Sequence, residues 1–175
     1  MAWKMIKTIP LYLALGANLG DQKEHLLFAI RNLDAMLGTR HAACSRFMET
    51  APEGFQSEDL FLNAAVLYKI PDAGQDPALF CRSVLAVCKE IEAQAGRSPQ
   101  APRYDAAGNR IYTSRPLDID VLLYGDFRMD TTELTIPHAR MARRAFVMTP
   151  LREIVEEQTC MAFPEIFVNS QTLEE

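Results

Sequence analysis

Apolar residues along this chain alternate between the spacing typical of strands and the spacing typical of helices. Short apolar runs bounded by turn residues predict buried strands, and apolar residues three or four positions apart predict amphipathic helices. The predicted strands cover 11–15, 43–49, 61–70 and 119–124. One helix is predicted after the first strand and another after the third. The order βαββαβ indicates an α/β fold of the α+β type, ferredoxin-like, with two helices packed on an antiparallel sheet.

Both predicted helices carry recognisable end signals. Asp21 and Glu24 form a capping-box pattern at the start of the first helix, and Gly38 follows its last apolar residue. Asp76 and Pro77 supply an N-cap and a first helical residue for the second helix. These local signals predict the limits of the helices independently of their apolar spacing.

The chain after Ile136 is predicted to add a short C-terminal helical extension, with one helix starting near Thr149 and Pro150. The sequence shows no repeat, low-complexity segment or interdomain linker. We therefore expect residues 1–175 to form a single domain.

Composition and charge narrow the class of protein. The chain is 49 % hydrophobic and 23 % charged, which indicates a soluble globular protein. A net charge of −5 provides no overall positive field for a nucleic-acid backbone, and no apolar stretch approaches the length of a membrane span. The four cysteines form no C-x-x-C pair, which favours reduced thiols. We expect a cytoplasmic monomer with neither nucleic-acid nor membrane partners.

Two aspartates stand at the entrance of the last predicted strand, in "SRPLDIDVLLYGD". Asp118 and Asp120 leave a strand on the same face, roughly 6.6 Å apart, so their charges repel. A divalent cation turns that repulsion into attraction, and hard oxygen ligands without a Cys or His motif favour Mg²⁺. The pair alone leaves open a second interpretation, two solvated aspartates on an edge strand.

Basic residues flank the acidic pair on both sides. The set comprises Arg97, Arg103, Arg110, Arg115, Arg140, Arg143 and Arg144, with His138 among them. Guanidinium groups around metal-binding carboxylates are what a triphosphate requires, although any one of these arginines could be a solvated loop residue.

A third group is aromatic and polar. Phe61 and Asn63 share a face of their predicted strand, and Phe146 lies in the C-terminal section. Two aromatic rings can sandwich a flat heterocycle while an amide pairs with its edge. Taken alone, these residues are more typical of a core. Glu92 is equally open, as a plain helix carboxylate or as part of a pocket.

Five segments in order, from Leu11 to about Ile154, resemble the 6-hydroxymethyl-7,8-dihydropterin pyrophosphokinase family. They read "LALGANLGD", "ETAPEGFQSEDLFLNAAV", "IEAQAGR", "SRPLDIDVLLYGD" and "IPHARMARRAFVMTPLREI". The family has the ferredoxin-like fold. The resemblance implies transfer of the pyrophosphoryl group of ATP to the hydroxymethyl group of 6-hydroxymethyl-7,8-dihydropterin, with release of AMP, in folate biosynthesis.

The resemblance also implies roles for individual residues. Asp118 and Asp120 would hold two Mg²⁺ ions that bridge the phosphates of ATP, with Arg97 and Arg115 as their catalytic neighbours. The pterin would be bound by Thr50, Phe61, Asn63, Tyr112 and Phe146. The nucleotide would be bound or supported by Glu92, Arg115, His138 and Arg144. We add Arg110 to this set because it lies in the basic run before the acidic pair.

The chain departs from the family pattern mainly between Arg97 and Arg115. This segment is longer than in compact members, and we expect it to act as a lid. Tyr112 stands about where many members have a tryptophan that closes over the pterin, and Ser114 replaces a usual proline.

Two other functions are compatible with parts of the pattern. A metal-dependent nucleotidyl- or glycosyltransferase could use the D-x-D pair, but only a pyrophosphokinase yields AMP plus a diphosphorylated acceptor. A pterin-binding protein that has lost catalysis would not need both aspartates and the surrounding arginines.

Overall fold

A computed structural model describes residues 6–51, 60–97, 103–104, 106–107, 110–111 and 114–168, with the backbone alone at 103, 104, 110 and 111. The elements, in chain order, are β1 (Thr8–Ala17), α1 (Gln22–Met36), β2 (Ala43–Cys44), β3 (Met48–Thr50), β4 (Phe61–Pro71), α2 (Pro77–Gln94), β5 (Arg103–Tyr104), β6 (Arg110–Ile111), β7 (Asp118–Tyr124), β8 (Met129–Asp130), β9 (Thr135–Ile136), α3 (Ala145–Ile154), α4 (Glu157–Ala162) and α5 (Pro164–Phe167). A 3-10 turn at Met141–Arg143 precedes α3.

The main sheet has the strand order β2-β4-β1-β7, and β3 also pairs with β4. All of these pairings are antiparallel. Short ladders join β5 to β6 and β8 to β9. The predicted βαββαβ arrangement is confirmed, with the second predicted strand divided in two.

The division of the predicted strand 43–49 follows from its register with β4. Cys44 pairs with Val66 and Met48 pairs with Asn63, so four steps along one strand face three along the other. The extra residue breaks the ladder, as in a β-bulge. Ser45 compensates, because its Oγ accepts a hydrogen bond from the Ala65 amide at 2.9 Å.

The predicted starts of both long helices are confirmed. The Asp21 carboxylate accepts from the Glu24 amide at 2.9 Å, and the Asp76 carboxylate accepts from the Leu79 amide at 2.7 Å. Each bond satisfies an amide that the first turn would otherwise leave unpaired. Gly38 follows α1 with a φ of 67°, a left-handed conformation that glycine adopts readily.

Helices cover both faces of the main sheet. Leu11, Leu13 and Leu15 of β1 contact the core that includes α1 and α2. Tyr12 points the other way, into a second core formed with α3 and the helices after it. Since side chains alternate along a strand, a strand buried on both faces reads as the continuous apolar run seen here.

The prediction that a C-terminal helix starts near Thr149 and Pro150 is wrong. Helix α3 begins at Ala145, and Pro150 lies inside it. The Arg144 carbonyl accepts from the Met148 amide at 2.9 Å, which establishes the first turn well before the proline. Pro150 is buried, so packing compensates for the hydrogen bond that its missing amide removes.

All four cysteines, Cys44, Cys81, Cys88 and Cys160, are free, as the sequence predicts. Burial raises the pKa of Cys81 to about 12, so this thiol stays protonated at neutral pH. Within the described part of the chain, no helix combines the length and apolar character needed to cross a bilayer.

Candidate active site

A cavity of about 500 Å³ opens beside the ends of β1, β4 and β7, on the sheet face that also packs against α3. Its wall combines polar, charged and aromatic side chains from distant parts of the sequence. The lining residues with functional side chains are Thr50, Phe61, Asn63, Arg97, Arg115, Asp118, Asp120, His138, Arg140, Arg144 and Phe146.

Gly16 of β1 lies between the two chemically distinct parts of the cavity. It pairs with Asn63 on one side and with Asp118 on the other. A Cβ atom at Gly16 would meet Asn63 Oδ1 at 3.3 Å, so a larger residue would press on that amide. The central strand therefore places an amide and an acidic pair side by side, although they are far apart in the sequence.

Asp118 lies between two arginines. Arg97 Nη1 is 2.7 Å from Asp118 Oδ1, and Arg115 Nη1 is 3.0 Å from Asp118 Oδ2. Both guanidinium groups line the cavity. With Arg140 and Arg144, four arginines line the cavity against two aspartates, and this excess of positive charge suits a polyanionic ligand.

Asp120 is less well compensated than Asp118. Its side chain is 35 % exposed, and His138 Nε2 faces it at 4.0 Å. Burial and the neighbouring Asp118 raise the pKa of Asp120 to about 6, although the surrounding arginines oppose the shift. The crowding predicted from the D-x-D spacing is therefore present, and a cation would relieve it.

Glu92 lies behind the cavity wall, not on it. It accepts a hydrogen bond from the Ile119 amide at 2.7 Å and pairs with Arg97 Nη1 at 2.6 Å. Burial and the nearby Asp118 raise its pKa to about 7. Glu92 thus links α2 to the start of β7 and orients Arg97.

His138 faces the acidic pair from the segment after β9. Burial, with Arg144 and Arg140 nearby, lowers its pKa, so the ring is neutral at pH 7. The Arg140 amide lies 3.3 Å from His138 Nδ1 and donates to it. The ring proton is therefore on Nε2, the nitrogen that faces Asp120.

Asn63 has a defined orientation at the other end of the cavity. Its Nδ2 donates to Thr50 Oγ1 at 2.8 Å and approaches the Met48 carbonyl oxygen at 3.4 Å. Since a carbonyl can only accept, this fixes the amide nitrogen toward β3. Asn63 Oδ1 is then presented as an acceptor, and the Thr50 hydroxyl keeps its proton for another partner.

Phe61 and Phe146 both line the cavity. The Arg144 guanidinium lies 5.5 Å from the centre of the Phe146 ring, which connects the aromatic and basic parts of the site. Aromatic faces beside a fixed amide acceptor can bind a flat heterocycle with N–H groups on its edge.

The donor set fits magnesium that is shared with a ligand. The described residues contain no group of three or more His, Cys, Asp or Glu side chains that could hold a metal ion unaided. Mg²⁺ is commonly bound by one or two carboxylates together with waters and substrate phosphates. Asp118 and Asp120, both on the cavity wall, supply that number of carboxylates.

Most of the predicted site residues lie together around this cavity, with Glu92 directly behind them. Arg110 lies in β6, where only its backbone is described, and Tyr112 falls outside the described residues. Sequence reasoning missed Asn18, which is buried next to Arg115. A polar residue directly after the buried strand β1 is the signal that could have identified it.

Comparisons with known proteins identify relatives along most of the chain. The family model of 7,8-dihydro-6-hydroxymethylpterin-pyrophosphokinase matches residues 12–156. A 2-amino-4-hydroxy-6-hydroxymethyldihydropteridine pyrophosphokinase of Porphyromonas gingivalis is 36 % identical over 144 residues, which cover 82 % of this chain and 88 % of the relative. The enzyme of the same name from Methylorubrum extorquens is 35 % identical over 94 % of this chain and 89 % of its own. The enzyme of the same name from Bacillus subtilis is 31 % identical over 83 % of this chain and 78 % of its own.

Proposed function

Because the chain belongs to the 7,8-dihydro-6-hydroxymethylpterin-pyrophosphokinase family, we propose that it uses ATP as the pyrophosphoryl donor and Mg²⁺ held by Asp118 and Asp120. As a family member, the chain is a transferase of folate biosynthesis. It moves a pyrophosphoryl group to the hydroxymethyl group of 6-hydroxymethyl-7,8-dihydropterin. One observation carries the proposal. The same cavity is lined by a charged group, Arg97, Arg115, Asp118 and Asp120, and by an amide and two aromatic rings, Asn63, Phe61 and Phe146.

In the proposed reaction the pterin hydroxymethyl oxygen attacks the β-phosphorus of ATP in line. A bond forms between this oxygen and the β-phosphorus, the bond from the β-phosphorus to the α,β-bridging oxygen breaks, and AMP leaves. The hydroxyl proton is released, and no side chain is assigned as its general base. Catalysis then rests on positioning and on charge neutralisation.

The charged end of the cavity supports binding of the triphosphate. Arg97, Arg115 and Arg144 line it, and their guanidinium groups can donate paired hydrogen bonds to phosphate oxygens. Bound Mg²⁺ supplies neutralisation of the phosphate charge that develops during transfer. Neutral His138 directs its Nε2–H toward Asp120, 4.0 Å away.

The other end of the cavity supports binding of the pterin ring. Asn63 Oδ1 accepts from an N–H on the edge of the ring, and the Thr50 hydroxyl donates to a ring acceptor. Phe61 and Phe146 contact the faces of the ring. Tyr112 belongs to the proposed site through its position in the family pattern, and Arg110 through its place in the basic run before the acidic pair.

The remaining parts of the proposal concern the state of the protein. Residues 1–175 act as one domain and as a monomer, because side chains of one chain line both ends of the cavity. The four free cysteines support a cytoplasmic location, since reducing compartments keep thiols free.

The experiment that tests the proposal follows AMP and diphosphorylated pterin together. ATP and Mg²⁺ are supplied with and without 6-hydroxymethyl-7,8-dihydropterin, and a third reaction contains excess chelator. AMP should appear only when the pterin and the metal are both present, in equal amount to the pterin product. Pterin product formed in the presence of chelator would refute the metal proposal. Product formed without AMP would refute ATP as the donor.

A further inference from the structure

Asn18 is a polar side chain buried beside the cavity. It follows the last residue of β1 and is only 1 % exposed. It does not line the cavity, so a bound ligand would not contact it there. A buried amide is stable only when its hydrogen bonds are made, so its partners define its role.

All the described partners of Asn18 lie on the segment that leads into β7. Asn18 Oδ1 accepts from the Arg115 amide at 2.8 Å, and Asn18 Nδ2 donates to Ser114 Oγ at 3.0 Å. The Asn18 amide also donates to the Arg115 carbonyl at 3.2 Å. The Arg115 backbone is therefore held through both of its polar groups.

The Arg115 side chain extends from this anchored backbone into the site. It is 17 % exposed, lines the cavity and pairs with Asp118 Oδ2 at 3.0 Å. A displacement of its Cα would move the guanidinium and the carboxylate that it contacts. Misplacing a catalytic group by about 1 Å can cost on the order of 10²-fold in rate.

We propose that Asn18 is a positioning residue for pyrophosphoryl transfer, and that it acts by fixing the main chain of Arg115 so that the guanidinium faces the phosphates. The inference rests on the proposed function, in which Arg115 contacts the phosphates of ATP. The Ser114 hydroxyl completes the clamp, because it accepts from the amide nitrogen that would otherwise be unpaired.

Asn18→Ala removes both side-chain bonds, and Ser114→Ala removes one of them. We expect kcat/KM for ATP to fall about tenfold in Asn18→Ala and about threefold in Ser114→Ala. The KM for the pterin should change less than twofold, since the described residues proposed to bind it lie on β3, β4 and α3. Wild-type activity provides the reference, with product followed as both diphosphorylated pterin and AMP.

Tyr12→Phe is the matched control for a purely structural effect. Tyr12 lies on the same strand and is fully buried, and its hydroxyl accepts from the Glu156 amide at 3.1 Å and bonds Thr159 Oγ1 at 3.2 Å. None of the three residues in these contacts lines the cavity. Tyr12→Phe should lower the melting temperature and leave kcat and both KM values unchanged.

The double variant Asn18→Ala/Arg115→Ala tests whether Asn18 acts through Arg115. If it does, adding Asn18→Ala to the Arg115→Ala variant should lower kcat/KM by less than a further twofold. Additive losses in the double variant would overturn the proposal, and so would Asn18→Ala kinetics that match those of Tyr12→Phe. Should Asn18→Ala fail to fold, the decision rests on Ser114→Ala, for which a wild-type KM and kcat would refute the clamp.

The same measurements separate this inference from the proposed function. Wild-type protein that forms diphosphorylated pterin without AMP refutes ATP as the donor, and the variants are then compared through pterin product alone. An active wild type whose Arg115→Ala variant is unimpaired refutes the role of Arg115 itself, and with it the role of Asn18.

Discussion

Arg97 Nη1 lies 2.7 Å from Asp118 Oδ1, so a cation of the protein occupies one oxygen of a carboxylate proposed to bind metal. Glu92 holds the same guanidinium group from behind, at 2.6 Å. In the proposed function, Arg97 and Mg²⁺ would therefore compete for Asp118 until phosphate oxygens gave Arg97 another partner. The ion pair would then couple metal binding to nucleotide binding.

Replacement of Arg97 by alanine should separate its competition with the metal from its proposed contact with the phosphates. Without the competing cation, the free protein should bind Mg²⁺ or Mn²⁺ roughly two- to fivefold more tightly. Turnover should still fall on the order of 10²–10³-fold, because a phosphate contact is lost. Metal titration by calorimetry and steady-state kinetics provide the two readouts.

Arg128→Ala is the control for the Arg97 variant, since Arg128 pairs with Glu165 at 2.6 Å and does not line the cavity. It should change neither the metal affinity nor turnover. Weaker metal binding by Arg97→Ala would contradict the competition described above.

Asp118→Asn and Asp120→Asn should each lower kcat by about a thousandfold or more, since metal stabilisation of charge is worth several kcal/mol. Neither loss should come from unfolding. Burial and the neighbouring Asp118 raise the pKa of Asp120 to about 6, so a neutral amide at that position should fold at least as stably at pH 7.5. Thermal melts measure the stability of each variant, and assays at ordinary Mg²⁺ measure its turnover. Near-normal activity in either variant would refute the metal site.

Asn63→Ala and Phe146→Ala should weaken pterin binding more than ATP binding. Stacking and edge pairing act on the ring, and stacking on an aromatic side chain is worth roughly 1–3 kcal/mol per base in nucleic-acid systems. Calorimetry with each ligand measures the two affinities separately. Phe167→Ala, which removes a partly buried ring of the second core, should leave both affinities unchanged. An equal loss of ATP affinity would show that the pterin end is misassigned.

The parts of the fold that the sequence predicts are those with local causes. Asp21 and Asp76 cap helices through residues three positions away, and the alternation of a strand places Asp118 and Asp120 on one face. The break in strand 43–49 depends instead on a long-range register, in which Ser45 compensates for an extra residue opposite Ala65. No local pattern contains that information.

The missed parts of the site have the same explanation. Asn18 is separated by 96 positions from Ser114, so its role appears only when β1 and β7 lie side by side. Pro150 gave a misleading local signal, because burial in the second core outweighs its effect on the helix. Glu92 remained open in the sequence because its partner, the Ile119 amide, carries no side-chain signature.

Arg140 and Arg143 offer a paired test of the charged end of the cavity. Both are exposed, and Arg140 directly precedes the 3-10 turn of which Arg143 is the last residue. Of the two, only Arg140 lines the cavity. Arg140→Ala should raise the KM for ATP about three- to tenfold, and added salt should reduce the difference from the wild type. Arg143→Ala removes the same charge and should leave the KM within twofold. Equal effects of the two variants would indicate only a general loss of positive field.

Asp34 anchors α1 to the sheet and provides a prediction that does not depend on the active site. Its carboxylate accepts from the Tyr68 hydroxyl at 2.8 Å and from the His41 amide at 3.1 Å. Burial alone would raise the pKa of Asp34, but these hydrogen bonds lower it below the ordinary value of 3.8. The charged form is therefore favoured in the folded state.

Asp34→Asn should lower the free energy of unfolding by about 1–2 kcal/mol at pH 7, because charged acceptors form stronger hydrogen bonds than neutral ones. The stabilisation by Asp34 is complete above the unfolded-state pKa and is lost as the pH falls through the lower folded-state value. The difference in the free energy of unfolding between wild type and variant, the stability gap, should thus disappear below about pH 4. Urea titrations across pH measure the gap. Asp72→Asn, which breaks a pair with the exposed Lys7, should have a smaller effect. A gap that stays constant down to pH 3 would show that the Asp34 charge does not contribute.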